Sequence, residues 1–456
     1  MAEPGSAPAP PSLRVAGAQI PNVVGDIDGN ARRIGEAMEW AEQEEADLLL
    51  LPELALTGYP VEDLAVRKDF VAAAVASLEE LATRSGSVTT IVGSLDPVPP
   101  RRSWDTQTRE VAIGAALLCD GELRGIYHKV LLPNYAVFDE ARNFAPGTEP
   151  GVVWRVGEAM VGLSICEDSW SADGPPEAQA AGGAQLLLFQ NASPFERAKS
   201  DARLAHCRRL ARRNGLPVLY VNSVGGQDEL VFDGGSLVVS ATGELVHRAP
   251  QFEADRFCID LEIAPARPAT ARPRTVHARP APRRRPPLEE IRPVDPTSDL
   301  EQVWAALAMG VRDFAVCNGT DEAVVAISGG IDAAVAAAVA ADALGPERVR
   351  GICMPGPRTR GSETADAREL ADALGISLWS FPVEPVTDRI GPEASEIAGR
   401  DRGELVRRNL DSRIRAAILQ TIADEIGALA VATVNKTELS VGSFAPHDAM
   451  AGGFAP

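Results

Sequence analysis

Residues Ala326–Gly345 read AISGGIDAAVAAAVAADALG. A β-branched run ends in Ser-Gly-Gly, and an alanine-rich helical stretch follows at once. Glycines let backbone amides approach a bound phosphate, and a helix N-terminus adds its dipole. Working outward, a helical pattern at 300–316 leads into an apolar run at 323–328. Beyond the alanine-rich stretch, apolar runs at 348–355, 377–384 and 428–434 alternate with helical patterns at 363–374 and 405–426. This βαβαβαβ order predicts a doubly wound parallel sheet.

The first half of the chain has a different rhythm. Short apolar runs at 13–20, 46–53, 89–95, 115–120, 161–168, 184–193, 217–223 and 235–243 predict strands. Amphipathic stretches at 30–45, 69–85 and 199–214 predict helices. Many strands with few helices predict a layered α/β sandwich. Residues 264–287, APARPATARPRTVHARPAPRRRPP, are dense in proline and arginine and lack periodicity. Proline removes backbone donors and favours extended chain, so this stretch predicts a linker with solvated arginines. The expected organisation is therefore a domain at 13–264, a linker at 265–298 and a second domain at 299–456, within the range for 456 residues.

Composition narrows the class. The formal net charge is −20, which disfavours nucleic acid as a general partner. Only four of the 44 basic residues are lysines: Lys68, Lys129, Lys199 and Lys436. Where arginine supplies nearly all positive charge, a retained lysine points to chemistry that needs a compact, titratable ammonium. The six cysteines form no CxxC pair and no metal-ligand spacing. The first residues, MAEPGSAPAPPS, lack a basic start and an apolar centre, and no run reaches the ~18 apolar residues of a membrane span. The expectation is a cytoplasmic protein with free thiols, without a membrane partner.

Three polar groups stand at the ends of predicted strands. LLLLPELALTGYP, 48–60, carries Glu53; YHKVLLPNYAVFDE, 127–140, carries Lys129; GLSICEDSW, 162–170, carries Cys166. Singly each is ordinary, since a cysteine after an apolar run is usually a small buried hydrophobe. Together they fit one chemistry. A thiol is only a few per cent ionised at neutral pH and needs a base. Glu53 takes the proton, Lys129 steadies an oxyanion, and the three form an amide-cleaving site.

LPELALTGYP, YHKVLLPNYAVFDEARNF, ICEDSW, QNASPFERAK and VGGQDELVFDGGS resemble the nitrilase-type glutaminase domain of glutamine-dependent NAD+ synthetases, over essentially all of 13–264. The resemblance implies an α-β-β-α sandwich, with Cys166 as nucleophile, Glu53 as base and Lys129 as third member. It implies Glu140 as an additional active-site carboxylate, Tyr135, Ser193 and Lys199 as residues that hold glutamine, and no cofactor for this domain.

SGGIDA, 328–333, resembles the pyrophosphate loop of ATP-dependent adenylating ligases, an ATP-pyrophosphatase-type domain. The likeness to NAD+ synthetase continues over 301–456 through ALGPERVRGICMP, RRNLDSRIRAAIL, VATVNKTELSVG and MAGGFAP. It implies that Ser328, Gly329, Gly330, Asp332 and Thr433 contact ATP, that Asp332 helps hold Mg2+ with the pyrophosphate, and that Asn409 and Glu438 contact a dinucleotide. The implied substrates are glutamine, nicotinic acid adenine dinucleotide and ATP with Mg2+, and the implied assembly is a homo-oligomer.

The chain departs from the family pattern at several places: Ala333 for serine, GPRTR at 356–360 for a serine-rich stretch, Val434 for glycine, Ser443 for an aromatic residue and Ala449 for aspartate. The family's chains also continue beyond MAGGFA. Loss of one hydroxyl to a charged phosphate is expected to cost about 1.5–3 kcal/mol. Three readings stay open here: a glutamine-dependent NAD+ synthetase, a stand-alone glutaminase or amidase with a non-catalytic synthetase-like domain, and a nucleotide-binding scaffold or regulatory module without turnover.

Overall fold

The computed structural model describes residues 12–99, 110–265, 273–277, 285, 287–288, 291–356, 359–399, 403–442 and 453–456. Ser443 and Ala449 lie outside the described residues. The chain divides into two compact units, 1–302 and 303–456.

In the first unit the order is β1 (Ser12–Gln19), α1 (Ile27–Gln43), β2 (Leu48–Leu50), α2 (Lys68–Thr83), β3 (Thr89–Pro97), β4 (Val111–Cys119), β5 (Glu122–His128) and α3 (Glu140–Asn143). There follow β6 (Val153–Val156), β7 (Ala159–Ile165), α4 (Pro175–Ala181), β8 (Leu186–Asn191), α5 (Lys199–Asn214) and β9 (Val218–Asn222). The unit continues with β10 (Val224–Gln227), β11 (Leu230–Asp233), β12 (Leu237–Val239), β13 (Leu245–Arg248), β14 (Asp255–Glu262) and β15 (Arg274–His277). One sheet has the order β14-β1-β2-β3-β4-β5, the other β13-β12-β9-β8-β7-β6-β15, and β10 and β11 form a separate hairpin.

The main core lies between the two sheets, where Leu48, Leu50, Ile91 and Leu117 of one meet Val161, Leu163, Leu186 and Leu188 of the other. The outer faces are also covered. Leu49 and Val92 pack with Ile34, Met38, Leu78 and Leu81 of α1 and α2. Leu187, Phe189 and Val218 pack with Leu204, Cys207 and Leu210 of α5. This is the expected α-β-β-α sandwich. Burial on both faces explains the unbroken leucine run at β2. Gln190 ties the layers, donating to the Leu51 and Ile91 carbonyls at 2.9 and 3.1 Å.

The Pro/Arg-rich span differs from its reading as a solvated linker. Residues 274–277 form β15, which pairs in parallel with β6. Val276 is buried in the main core. Arg274 bonds Glu149 and lies over the Trp154 ring, and Arg285 bonds Asp47 at 2.7 Å. Proline density hid a strand whose backbone needs only one neighbour, because it runs along a sheet edge.

The second unit comprises α6 (Asp299–Cys317), within which the division between units falls, then β16 (Ala323–Ala326), α7 (Ile331–Leu344), β17 (Val349–Cys353), α8 (Gly361–Leu374) and β18 (Ser377–Ser380). It ends with α9 (Glu384–Ala398), α10 (Glu404–Ile426), β19 (Leu429–Val431) and α11 (Lys436–Val441). The four strands are parallel in the order β18-β17-β16-β19, the expected doubly wound sheet. Two readings change. The run 377–384 ends as a strand at Ser380, and α9 begins at Glu384 with Pro385 in its first turn, a position where proline's missing donor is harmless. The tail is not merely a loop: Phe454 bridges to Val431 and stacks on Phe314 with ring centroids 4.5 Å apart. Among the described residues, no helix is long and apolar enough to cross a membrane.

Candidate active site

Four strands of the sandwich deliver polar groups from their C-terminal ends. Glu53 follows β2, Lys129 follows β5, Cys166 follows β7, and Ala192–Ser193 follow β8. The Glu53 turn crosses β3 at Gly93, where a Cβ would lie 2.3 Å from the Leu54 nitrogen and 2.4 Å from the Pro52 oxygen. Only glycine allows this approach.

The Lys129 Nζ donates to Glu53 Oε1 and to Glu140 Oε1, each at 2.7 Å. All three side chains are buried. Glu53 Oε2 accepts from the Ala192 amide at 3.2 Å, and Glu140 Oε1 accepts from the Tyr59 hydroxyl at 2.8 Å. Burial opposes charge on Lys129, but Glu140, Glu53 and Cys166 together outweigh it and hold its pKa well above the usual value. Burial, reinforced by Glu53 and opposed by Lys129, raises Glu140 to about 7.

Cys166 opens a 3-10 turn, Cys166–Ser169, with φ at +45°. A non-glycine residue in this region stores strain of about 1–3 kcal/mol, a feature that clusters at functional sites. The thiol is buried, and it feels the charges of Glu53, Lys129 and Glu140. Burial and then Glu53 push its pKa well up, against the pull of Lys129.

The other residues singled out in the sequence surround this turn. Tyr135 is half exposed and donates to Glu167 Oε2 at 2.8 Å, on the residue after Cys166. Lys199 lies 5.3 Å over the ring of Trp170, which ends the same turn and stacks on His206. Ser193 is buried beside Ala192, and its amide donates to Asn222 Oδ1 at 2.9 Å.

In the second unit, the loop after β16 and the residues after β19 adjoin at the point where strand order reverses, the usual ligand crevice of open α/β sheets. A cleft of about 410 Å3 opens there, lined by Ser328 and Thr433 with Ile327, Ile352, Met354 and Leu419 among its apolar groups. Gly329 has φ +83°, and Gly330 is the N-cap of α7. Gly329, Gly330, Asp332, Asn409 and Glu438 are not in the cleft lining. Asp332 Oδ1 accepts from Asn435 Nδ2 at 3.3 Å, and Glu438 closes a capping box with Asn435. Asn409 lies on α10 beside Arg408, which does line the cleft.

Several contributors were not read from the sequence. Arg408, Asp411, Ser412 and Arg415 of α10 line the cleft, and Arg415 donates to the Met354 carbonyl. Their spacing of i, i+3, i+4, i+7 marks one helical face and was available as a signal. Tyr59, Asp168 and the buried Arg203–Asp233 pair, at 2.7 Å, carry no such pattern. Among the described residues, no group of three His, Cys, Asp or Glu side chains is placed to hold a metal ion.

A strained buried cysteine beside a Glu–Lys–Glu cluster, on a two-sheet sandwich followed by a parallel-sheet nucleotide fold, defines a two-module class. Residues 14–270 match the carbon-nitrogen hydrolase family and residues 303–456 the NAD synthase family. The chain is 35% identical over 459 residues to a glutamine-dependent NAD(+) synthetase of Thermotoga maritima, covering 97% of this chain and 78% of the relative. It is 36% identical over 447 residues to one from Xylella fastidiosa, covering 97% and 77%. Among solved structures, the glutamine-dependent NAD+ synthetase of Acinetobacter baumannii in complex with adenosine diphosphate superposes with a TM-score of 0.82 at 30% identity, covering 98% of this chain and 79% of that one. The chain belongs to the glutamine-dependent NAD(+) synthetase family.

Proposed function

We propose that this chain hydrolyses glutamine at Cys166 and uses the ammonia, with ATP, to amidate nicotinic acid adenine dinucleotide to NAD+. The observation that carries the first half is the buried Lys129 bridging Glu53 and Glu140 next to a strained thiol. Apolar side chains of similar size often match or exceed the stability of such a buried ion cluster, so its presence favours a chemical role.

The Cys166 sulfur attacks the side-chain carbonyl carbon of glutamine while its proton passes to Glu53. Lys129 faces the developing oxyanion and compensates its charge in a dry site. The tetrahedral adduct collapses, Glu53 returns the proton to the leaving nitrogen, and ammonia departs. A water then gives its proton to Glu53 and attacks the thioester, releasing glutamate and the thiol. Glu140, fixed by Tyr59, holds Lys129 in line. Tyr135, Ser193 and Lys199 are assigned to glutamine because they border the Cys166 turn or the Glu53 anchor.

The cleft at Ser328 and Thr433 is assigned to ATP, with Gly329, Gly330 and the N-terminus of α7 facing its phosphates. Asp332, in the first turn of α7, would help hold Mg2+ with the pyrophosphate, and the ion would supply positive charge against the phosphates. ATP adenylates the dinucleotide's carboxylate and releases pyrophosphate; ammonia displaces AMP. Asn409 and Glu438 are assigned to the dinucleotide.

The test uses the full chain. Wild type forms glutamate and, with ATP and nicotinic acid adenine dinucleotide, AMP and NAD+. Cys166→Ala stops glutamate formation but leaves AMP formation with added ammonia. No AMP from wild type with abundant ammonia overturns the synthetase half; glutamate formation persisting in Cys166→Ala overturns the assignment of the nucleophile.

A further inference from the structure

One buried carboxylate beside the site has no part in the chemistry above. Asp168 is two residues after Cys166, fully buried, and accepts four hydrogen bonds. Its Oδ1 accepts from the amides of Val130 and Leu131, at 3.0 and 2.8 Å. Its Oδ2 accepts from the Ile165 amide at 3.1 Å and the Tyr127 hydroxyl at 2.8 Å. Ile165 immediately precedes the nucleophile, and Val130 immediately follows Lys129.

We propose that Asp168 is the positioning residue that sets the thiol of Cys166 against the ammonium of Lys129. The two groups come from different sheets, β7 and β5. Ile165 is the last residue of β7, and the Val130–Leu131 segment leaves β5 as irregular chain. A single short carboxylate gathers both backbones. Its four acceptor sites are fully used, two per oxygen, so its orientation is determined on both sides. The left-handed backbone of Cys166 persists because neighbouring contacts over-determine it, and the bond from Ile165 is one of these. Displacement of reacting groups by about 1 Å can lower a rate about 100-fold without changing substrate affinity.

This rests on the glutaminase reading only for the identity of the substrate. The experiment therefore has two readouts on the full chain. In Asp168→Asn, an amide N–H is forced against backbone donors. The expected result is a fall in kcat for glutamine hydrolysis of about 100-fold with KM within about threefold of wild type. Alkylation of Cys166 by iodoacetamide, followed by the mass of the Cys166 peptide, is expected to slow at least about tenfold. AMP formation with added ammonia reports that the chain remains folded and is expected to stay at the wild-type level. Tyr127→Phe removes one bond of four and is expected to lower kcat about three- to tenfold at unchanged KM.

Wild-type kcat and alkylation rate in Asp168→Asn overturn the proposal. So does a parallel loss of kcat and ammonia-dependent activity. If Asp168→Asn fails to fold, Tyr127→Phe decides, and an unchanged kcat there overturns it. Absence of glutamine hydrolysis by wild type refutes the substrate reading alone, since the alkylation comparison still tests the positioning role.

Discussion

Lys129 and Glu53 are separated by 76 positions in the chain, yet their charged atoms lie 2.7 Å apart, with both side chains buried. With Glu140 also at 2.7 Å, one ammonium serves two carboxylates. Lys129→Met leaves those carboxylates buried without a cation. Removal of one partner from a buried ion pair costs about 3–5 kcal/mol. The variant is expected to lose glutamine hydrolysis and to unfold at clearly lower denaturant, both measurable on the full chain.

Glu140 supplies a pH signature. Burial raises its pKa to about 7, above the ordinary glutamate value of 4.5. Glutamine hydrolysis is expected to rise with pH through about 7, as Glu140 ionises and its bond to Lys129 gains full charge. Glu140→Gln removes that inflection from the kcat/KM profile. Stability moves the other way. The folded state holds this proton more tightly than the unfolded state, so its contribution is fully present below about 4.5 and is lost as pH rises through about 7. Denaturant midpoints at pH 5 and pH 8 are expected to converge more closely in Glu140→Gln than in wild type.

The nucleotide loop makes opposite predictions at two positions. Gly329 has φ +83°, and a Cβ there would meet the Glu363 carbonyl oxygen at 2.6 Å. Gly329→Ala is expected to raise the KM for ATP at least about tenfold while leaving glutamine hydrolysis unchanged, because left-handed backbone costs alanine about 1–2 kcal/mol before any clash. Ala333 is buried in the first turn of α7. Ala333→Ser restores a hydroxyl to the loop and is expected to lower the KM for ATP about tenfold, the lower end of a bond to a charged group.

Strand β15 is expected to be part of the sandwich energetically. Val276→Asp places a carboxylate in the core between the sheets and is expected to destabilise the first unit by about 2–4 kcal/mol. Thermal unfolding monitored with loss of glutamine hydrolysis checks this, with the exposed neighbour Thr275→Asp as a control expected to stay near wild type.

The strands legible in the sandwich's sequence, 13–20, 46–53, 89–95, 115–120, 161–168, 184–193, 217–223 and 235–243, all fall on interior strands. The edges β14, β13 and β15 and the four-residue interior strand β6 were not legible, and edge strand β5 was legible only as the strand before Lys129. Edge strands need no continuous apolar run; β5 shows mostly exposed or half-exposed residues. The same reason hid β15 in an arginine-rich span. In the second unit α9 was missed because prolines stand in its first turn and inside it, at Pro385 and Pro392, and an internal proline normally signals a helix end.

By itself the sequence determined the local patterns: interior strands from apolar runs, the glycine turn between β16 and α7, and the residue types able to cleave an amide. These are legible because they depend on neighbours within a few positions. Only the tertiary structure decided that Glu53, Lys129 and Glu140 share one buried cluster, that burial pushes the pKa of the Cys166 thiol up, and that Asp168 accepts hydrogen bonds from the Val130–Leu131 segment and from Ile165. Those facts depend on how two sheets stack and exclude water, which brings together groups up to 139 positions apart, as between Glu53 and Ala192, and no local periodicity records that distance.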